Sequence, residues 1–79
     1  MTDLKGTLAN IARAIVDSPE DVVVTVTEES ETTVRLKLSV AADDMGKVIG
    51  KHGKIAKAIR QLMKAAANGT GKKVTIDIE

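Results

Sequence analysis

Leu4, Leu8, Ile11, Ala12 and Ile15 recur at three- and four-residue spacing, the period that puts side chains on one face of an α-helix. Thr2 or Asp3 stands where a side-chain oxygen can cap the first amides, so a helix is predicted over residues 3–17. Ser18-Pro19-Glu20-Asp21 breaks it, because proline disfavours helical geometry at the residue before it and has no amide to donate. Val22-Val23-Val24-Thr25-Val26-Thr27 is then β-branched throughout, and Val34, Leu36, Leu38 and Val40 alternate with Thr33, Arg35, Lys37 and Ser39. These read as two strands of a hairpin turned by Glu28-Glu29-Ser30-Glu31. The face bearing Arg35 and Lys37 is wet and the other is covered by helices.

The period lengthens again after Asp43. Asp43 or Asp44 can cap a short helix from Asp44 to Ile49, ended by Gly50 in a left-handed position. In the next helix Ile55, Ile59, Leu62 and Ala66 lie on one face, and Lys54, Lys57, Arg60 and Lys64 flank it towards solvent. Asn68-Gly69-Thr70-Gly71 ends that helix, and Val74, Ile76 and Ile78 alternate with Thr75, Asp77 and Glu79 as a third strand. The predicted order is α-β-β-α-α-β, an α+β fold with a three-stranded sheet covered on one face by helices. No repeat, linker or low-complexity segment divides residues 1–79, which read as one small domain.

Composition narrows the chemistry. With no cysteine and one histidine, neither a disulfide framework nor a metal site is expected, and no cofactor is implied. No serine follows a strand in a nucleophile-elbow pattern, and Glu28, Glu29 and Glu31 sit at a hairpin tip where nothing desolvates them. The expectation is a binding protein, without catalysis or a small-molecule substrate. No stretch approaches ~20 consecutive apolar residues and no basic segment precedes an apolar run, so the default location is cytoplasmic, without membrane insertion.

Charge is unevenly distributed. Residues 1–44 hold nine acidic and four basic side chains, residues 45–79 two acidic and eight basic, and no acidic residue occurs from Met45 to Ile76. Within the basic half, Val48-Ile49-Gly50-Lys51-His52-Gly53-Lys54-Ile55 sets two glycines three apart around two cationic residues, between apolar flanks. Glycine permits positive φ and close approach of a phosphate to the backbone. The helix that begins at Lys54 presents amides without intrahelical partners and the positive end of its dipole. A phosphate backbone is the ligand that both features favour.

Met45-Gly46-Lys47-Val48-Ile49-Gly50-Lys51-His52-Gly53-Lys54-Ile55-Ala56-Lys57-Ala58-Ile59-Arg60, in this element order, resembles a KH domain of the bacterial type II arrangement, with Gly50 to Gly53 as its GXXG loop. The resemblance extends to the Asp17-Ser18-Pro19-Glu20 break and to Gly71-Lys72-Lys73-Val74, and is greatest to the free-standing single-KH proteins of the KhpA family. It implies an RNA chaperone or post-transcriptional regulator that works with a larger Jag-like KH protein of the KhpB type and is linked to cell elongation, cell shape and envelope homeostasis. It also implies a GXXG clamp on the backbone of about four single-stranded nucleotides. Carried onto this chain, Gly50, Lys51, His52 and Gly53 form the clamp, with Lys54, Lys57 and Arg60 as neighbouring cations. Val48, Ile49, Ile55 and Ile59 become candidates for the groove floor or the core beneath it, and Leu36 and Leu38 for the opposite wall. His52 departs from a fixed cation, histidine being only partly charged near neutral pH.

The aromatic content of 0% removes the base-stacking platforms of RNA-recognition motifs, OB folds and cold-shock domains. Phosphate contacts, amide hydrogen bonds and aliphatic packing remain, so one copy should bind weakly, roughly in the 10⁻⁴–10⁻⁶ M range. A homodimer or a partner would add avidity. Met63, with Ala56, Ala67 and Arg60, is a candidate self-association stripe. Two other readings stay open: a protein-interaction or dimerisation module, and a single-stranded DNA binder.

Overall fold

The computed structural model describes residues 3–79. Helix α1 runs Leu4–Ile15 and is capped by Asp3, whose Oδ1 accepts from the Gly6 amide at 3.0 Å; Thr2, the other candidate cap, lies outside the described residues. α1 stops two residues short of the predicted end. Val16 turns extended after its amide closes on the Ala12 carbonyl, and a 3-10 turn over Pro19–Asp21 redirects the chain.

Strands β1 (Val23–Glu29) and β2 (Thr33–Ser39) form the predicted hairpin, antiparallel, with Val24 opposite Leu38. A bulge at Thr27 shifts the register between Val26 and Glu28, and the Ser30 amide closes the turn on the Thr33 carbonyl at 2.8 Å. Helices α2 (Met45–Ile49) and α3 (Lys54–Ala67) then carry the chain to β3 (Lys73–Ile78), which pairs parallel with β2, Leu36 opposite Ile76. A parallel neighbour requires such a crossover. The sheet order β1-β2-β3 leaves β2 central, and the observed element order is the predicted α-β-β-α-α-β.

The core lies between one face of the sheet and α1 and α3. Val24, Leu36, Leu38 and Ile76 meet Leu8, Ala12, Ile59 and Met63 there, with Val48 of α2 at one end. The buried face of α3 differs from the expected one. Ala56, Ile59, Met63 and Ala67 are buried, whereas Leu62 is 55% exposed and Ile55 38% exposed. Both stripes pass through Ile59 at helical spacing, and hydrophobicity alone favours Leu62. The small side chains of Ala56 and Ala67 let the other stripe approach the sheet closely, and the flexible Met63 fills the space between them. Met63, Ala56 and Ala67 are therefore core, and the exposed self-association stripe expected of them does not exist.

Asp44 also departs from expectation. It occupies the N-cap position of α2 without a capping bond from its side chain. The carboxylate is buried, the residue only 2% exposed, and it accepts from the Asp17 amide at 3.3 Å and the Ser18 amide at 3.0 Å. Charge-assisted bonds of this kind compensate the burial. They fasten the turn after α1 to the start of α2, and so fix where α2 points.

Candidate nucleic-acid interface

The turn between α2 and α3 is built by its glycines. Gly50 follows α2 at φ 74, ψ 172, its amide closing on the Gly46 carbonyl at 2.9 Å. That conformation lies in a region open essentially to glycine, beyond the left-handed helical position expected of it. A Cβ on Gly50 would lie 2.3 Å from Ile55 Cγ1 and 2.9 Å from the Ile55 backbone nitrogen, so space as well as torsion demands glycine. Gly53, at φ 73, ψ 15, is the left-handed N-cap of α3, with open space around its missing Cβ. Between them Lys51–Gly53 make a 3-10 turn, and the Gly53 amide returns to the Gly50 carbonyl at 3.1 Å. His52 is itself left-handed at φ 59, ψ 25, a conformation that histidine enters more readily than most residues.

Gly50, His52 and Gly53, all at positive φ, thus turn the chain sharply, and Lys51 and His52 stand at the tip with exposed side chains. Gly53 has no side chain with which to cap α3, so the first turn of that helix faces the loop with its positive end. Lys54, Lys57 and Lys64 are exposed along α3, and neither they nor Lys51 and His52 form an ion pair among the described residues. Arg60 is exposed but partly committed: its Nε donates to the Ile76 carbonyl at 3.3 Å, tying α3 to β3. Lys47, just before the loop, pairs with Asp17. That hydrogen bond, opposed by slight desolvation and aided by the Asp17 and Asp44 charges, raises the Lys47 pKa above its ordinary 10.5.

Among the apolar candidates the structure separates surface from core. Ile49 and Ile55 flank the loop at 38% exposure each. Val48 and Ile59 are buried, so neither lines a groove; they hold α2 and α3 to the sheet. Leu36 and Leu38 are fully buried beneath the helices and cannot form an opposite wall. The alternation of β2 marks both as inward-facing but not what covers them. The surviving surface is a convex cationic turn with two isoleucines at its base.

Two concavities lie away from this turn. One, of about 590 Å³, lies between the start of α1, the hairpin and the α3–β3 turn, lined in part by Leu4, Lys5, Val26, Glu29 and Lys72. Another, of about 480 Å³, borders Lys64, Asn68, Gly71 and Val74. Among the described residues no group of three His, Cys, Asp or Glu side chains is placed to hold a metal ion, and no helix is long and apolar enough to cross a membrane.

A family model described as the KH domain of KhpA/KhpB matches residues 5–78. A Listeria monocytogenes protein named RNA-binding protein KhpA is 49% identical over 71 residues, covering 90% of this chain and 92% of the relative. Proteins of the same name from Clostridium acetobutylicum and Treponema pallidum are 48% and 45% identical, the former over 95% of this chain and 99% of its own length.

Proposed function

The chain belongs to the KhpA/KhpB KH-domain family, and from that premise we propose that it is a cytoplasmic protein that binds single-stranded RNA through the Gly50–Gly53 loop, with no catalysis of its own. The observation that carries this reading is the loop itself: two positive-φ glycines around exposed Lys51 and His52, opening onto an uncapped helix with further lysines that form no ion pair among the described residues. Backbone amides and the helix dipole receive phosphate there, Lys51, His52, Lys54 and Lys57 supply charge, and Ile49 and Ile55 offer aliphatic contact to bases. The outward part of Arg60 adds a cation while its Nε stays on β3. In the cell the protein acts as an RNA chaperone or post-transcriptional regulator beside a larger Jag-like KH partner, in cell elongation and envelope homeostasis. Exposed Leu62 and Ile55 on α3 supply the apolar surface on which a homodimer would form.

The test is a titration of short fluorescent single-stranded RNA, and matched DNA, with wild type and Lys51→Asp/His52→Asp across salt concentrations. Loss of binding in the variant with an unchanged circular dichroism spectrum supports the clamp. A log–log salt slope near roughly −0.7 per phosphate gives the number of contacts. Equal binding by both proteins removes the function from the loop, and a preference for DNA overturns the choice of RNA.

A further inference from the structure

From Ala14 to Val34 the chain carries six acidic side chains and no Lys, Arg or His, and this stretch folds around β1. β1 is an edge of the sheet, paired only with β2, so one row of its amides and carbonyls is turned away from the sheet. Edges are ordinarily blunted by Lys, Pro or inward-pointing charge. From Val22 to Thr27 this one carries no Lys, Pro or charge and is β-branched throughout, its one irregularity being the bulge at Thr27, and it exposes Val23 at 55% and Val26 at 41%. The opposite edge, β3, carries Lys73 and Asp77.

Charge brackets the open edge. Glu20 and Asp21 stand exposed at its start and Glu28 and Glu31 at its end, none of the four in an ion pair among the described residues. Arg35 is opposite Glu28 in the ladder yet outside ion-pair distance. A second copy is a poor occupant. Antiparallel pairing of β1 with itself about Val24 would set Glu20 against Glu28, and pairing about Thr25 would set Asp21 against Glu29, whose charge Lys72 only partly offsets at 3.2 Å; like charges directly opposite destabilise a ladder. Nucleic acid is repelled by the same carboxylates.

We propose that the β1 edge accepts, as a fourth strand, an extended segment of a partner protein with an uncharged β-branched centre and Lys or Arg at both ends. Ladder hydrogen bonds supply affinity without regard to sequence, and the acidic residues at the two ends select a basic segment. The site lies on the acidic half of the chain and is independent of the RNA reading.

The probe is a synthetic peptide of alternating Thr and Val with two Lys at each end, titrated into the full ¹⁵N-labelled chain. The control has the same centre with Glu ends. Amide shifts and slowed hydrogen exchange confined to 22–29, seen with the Lys peptide alone, are expected. Glu20→Lys/Asp21→Lys/Glu28→Lys should weaken that response about tenfold or more while the circular dichroism spectrum is kept. The proposal is overturned by a silent β1 at millimolar peptide, by an equal response to the Glu peptide, or by shifts at the Gly50–Gly53 loop instead. Concentration-dependent protection of β1 in the free chain would overturn it too, since the occupant would then be a second copy.

Discussion

The Gly50–Gly53 turn and the β1 edge expose backbone to solvent by opposite means. In the turn, three of four residues lie at positive φ, Gly50, His52 and Gly53, and fold the chain back onto the start of a helix, and the surrounding charge is all positive. At the edge the backbone is extended and its polar groups form a row, with negative charge at the two ends and uncharged residues between. A convergent cationic turn suits a point-like anion, while a linear edge suits another strand. A net charge of +1 conceals both, because the two poles cancel in the sum.

The largest expected effect is a charge exchange between the poles. Lys51→Asp/His52→Asp should lower RNA affinity by about 100-fold or more, since like charge replaces attraction at the tip. Glu20→Lys/Asp21→Lys/Glu28→Lys should leave RNA affinity unweakened. Fluorescence anisotropy checks both, and a loss of affinity in the second variant would break the separation of the poles.

Next in size is the seam that joins them. Asp44→Ala leaves the part-buried Asp17 and Ser18 amides without their charged acceptor, and hydrogen bonds to charged groups contribute about 1.5–3 kcal/mol each. Urea denaturation should therefore show a loss of about 2–4 kcal/mol, a large fraction of the stability of so small a domain. A value near zero would mean that water takes over both amides and that the seam is not structural.

Smaller again is the contrast between the two glycines. Gly50→Ala must move the Ile55 backbone and occupy a region that L-residues avoid, about 1–3 kcal/mol. Gly53→Ala meets open space and pays only for a left-handed helical conformation, about 1 kcal/mol. Thermal melts of the two variants should rank Gly50→Ala as the less stable.

How far these features are legible in the sequence depends on how local their causes are. The order of elements, the Pro19 break, the hairpin and the glycine turn follow from neighbouring residues and are readable. The choice of Met63 over Leu62 for the core is not, because it depends on how closely Ala56 and Ala67 let α3 approach the sheet. Asp44 reads as a cap from its position, yet its partners are 26 and 27 residues earlier. The second requirement for glycine at 50 comes from Ile55, whose position exists only once the turn has closed. The acid-only stretch around β1 is visible as composition, but its meaning needs the sheet order that makes β1 an edge.

The smallest effect concerns Lys47, which with Asp17 makes the ion pair that crosses from the acidic stretch to α2. Both side chains are exposed, so solvent and salt screen the pair, and exposed pairs contribute little. Its pH dependence is nonetheless diagnostic. The folded-state pKa of Lys47 is raised above the ordinary 10.5, so folding favours the protonated form. The resulting stabilisation is fully present below the unfolded-state value and disappears as pH rises through the folded one. Lys47→Met should therefore melt slightly below wild type at neutral pH, and the gap should narrow only as pH climbs past the ordinary lysine value. A gap that persists unchanged into that alkaline range would assign the effect to packing of the Lys47 stem. The carboxylate of Asp44 would then be the polar tie that remains, among the described residues, between the acidic stretch and the start of α2.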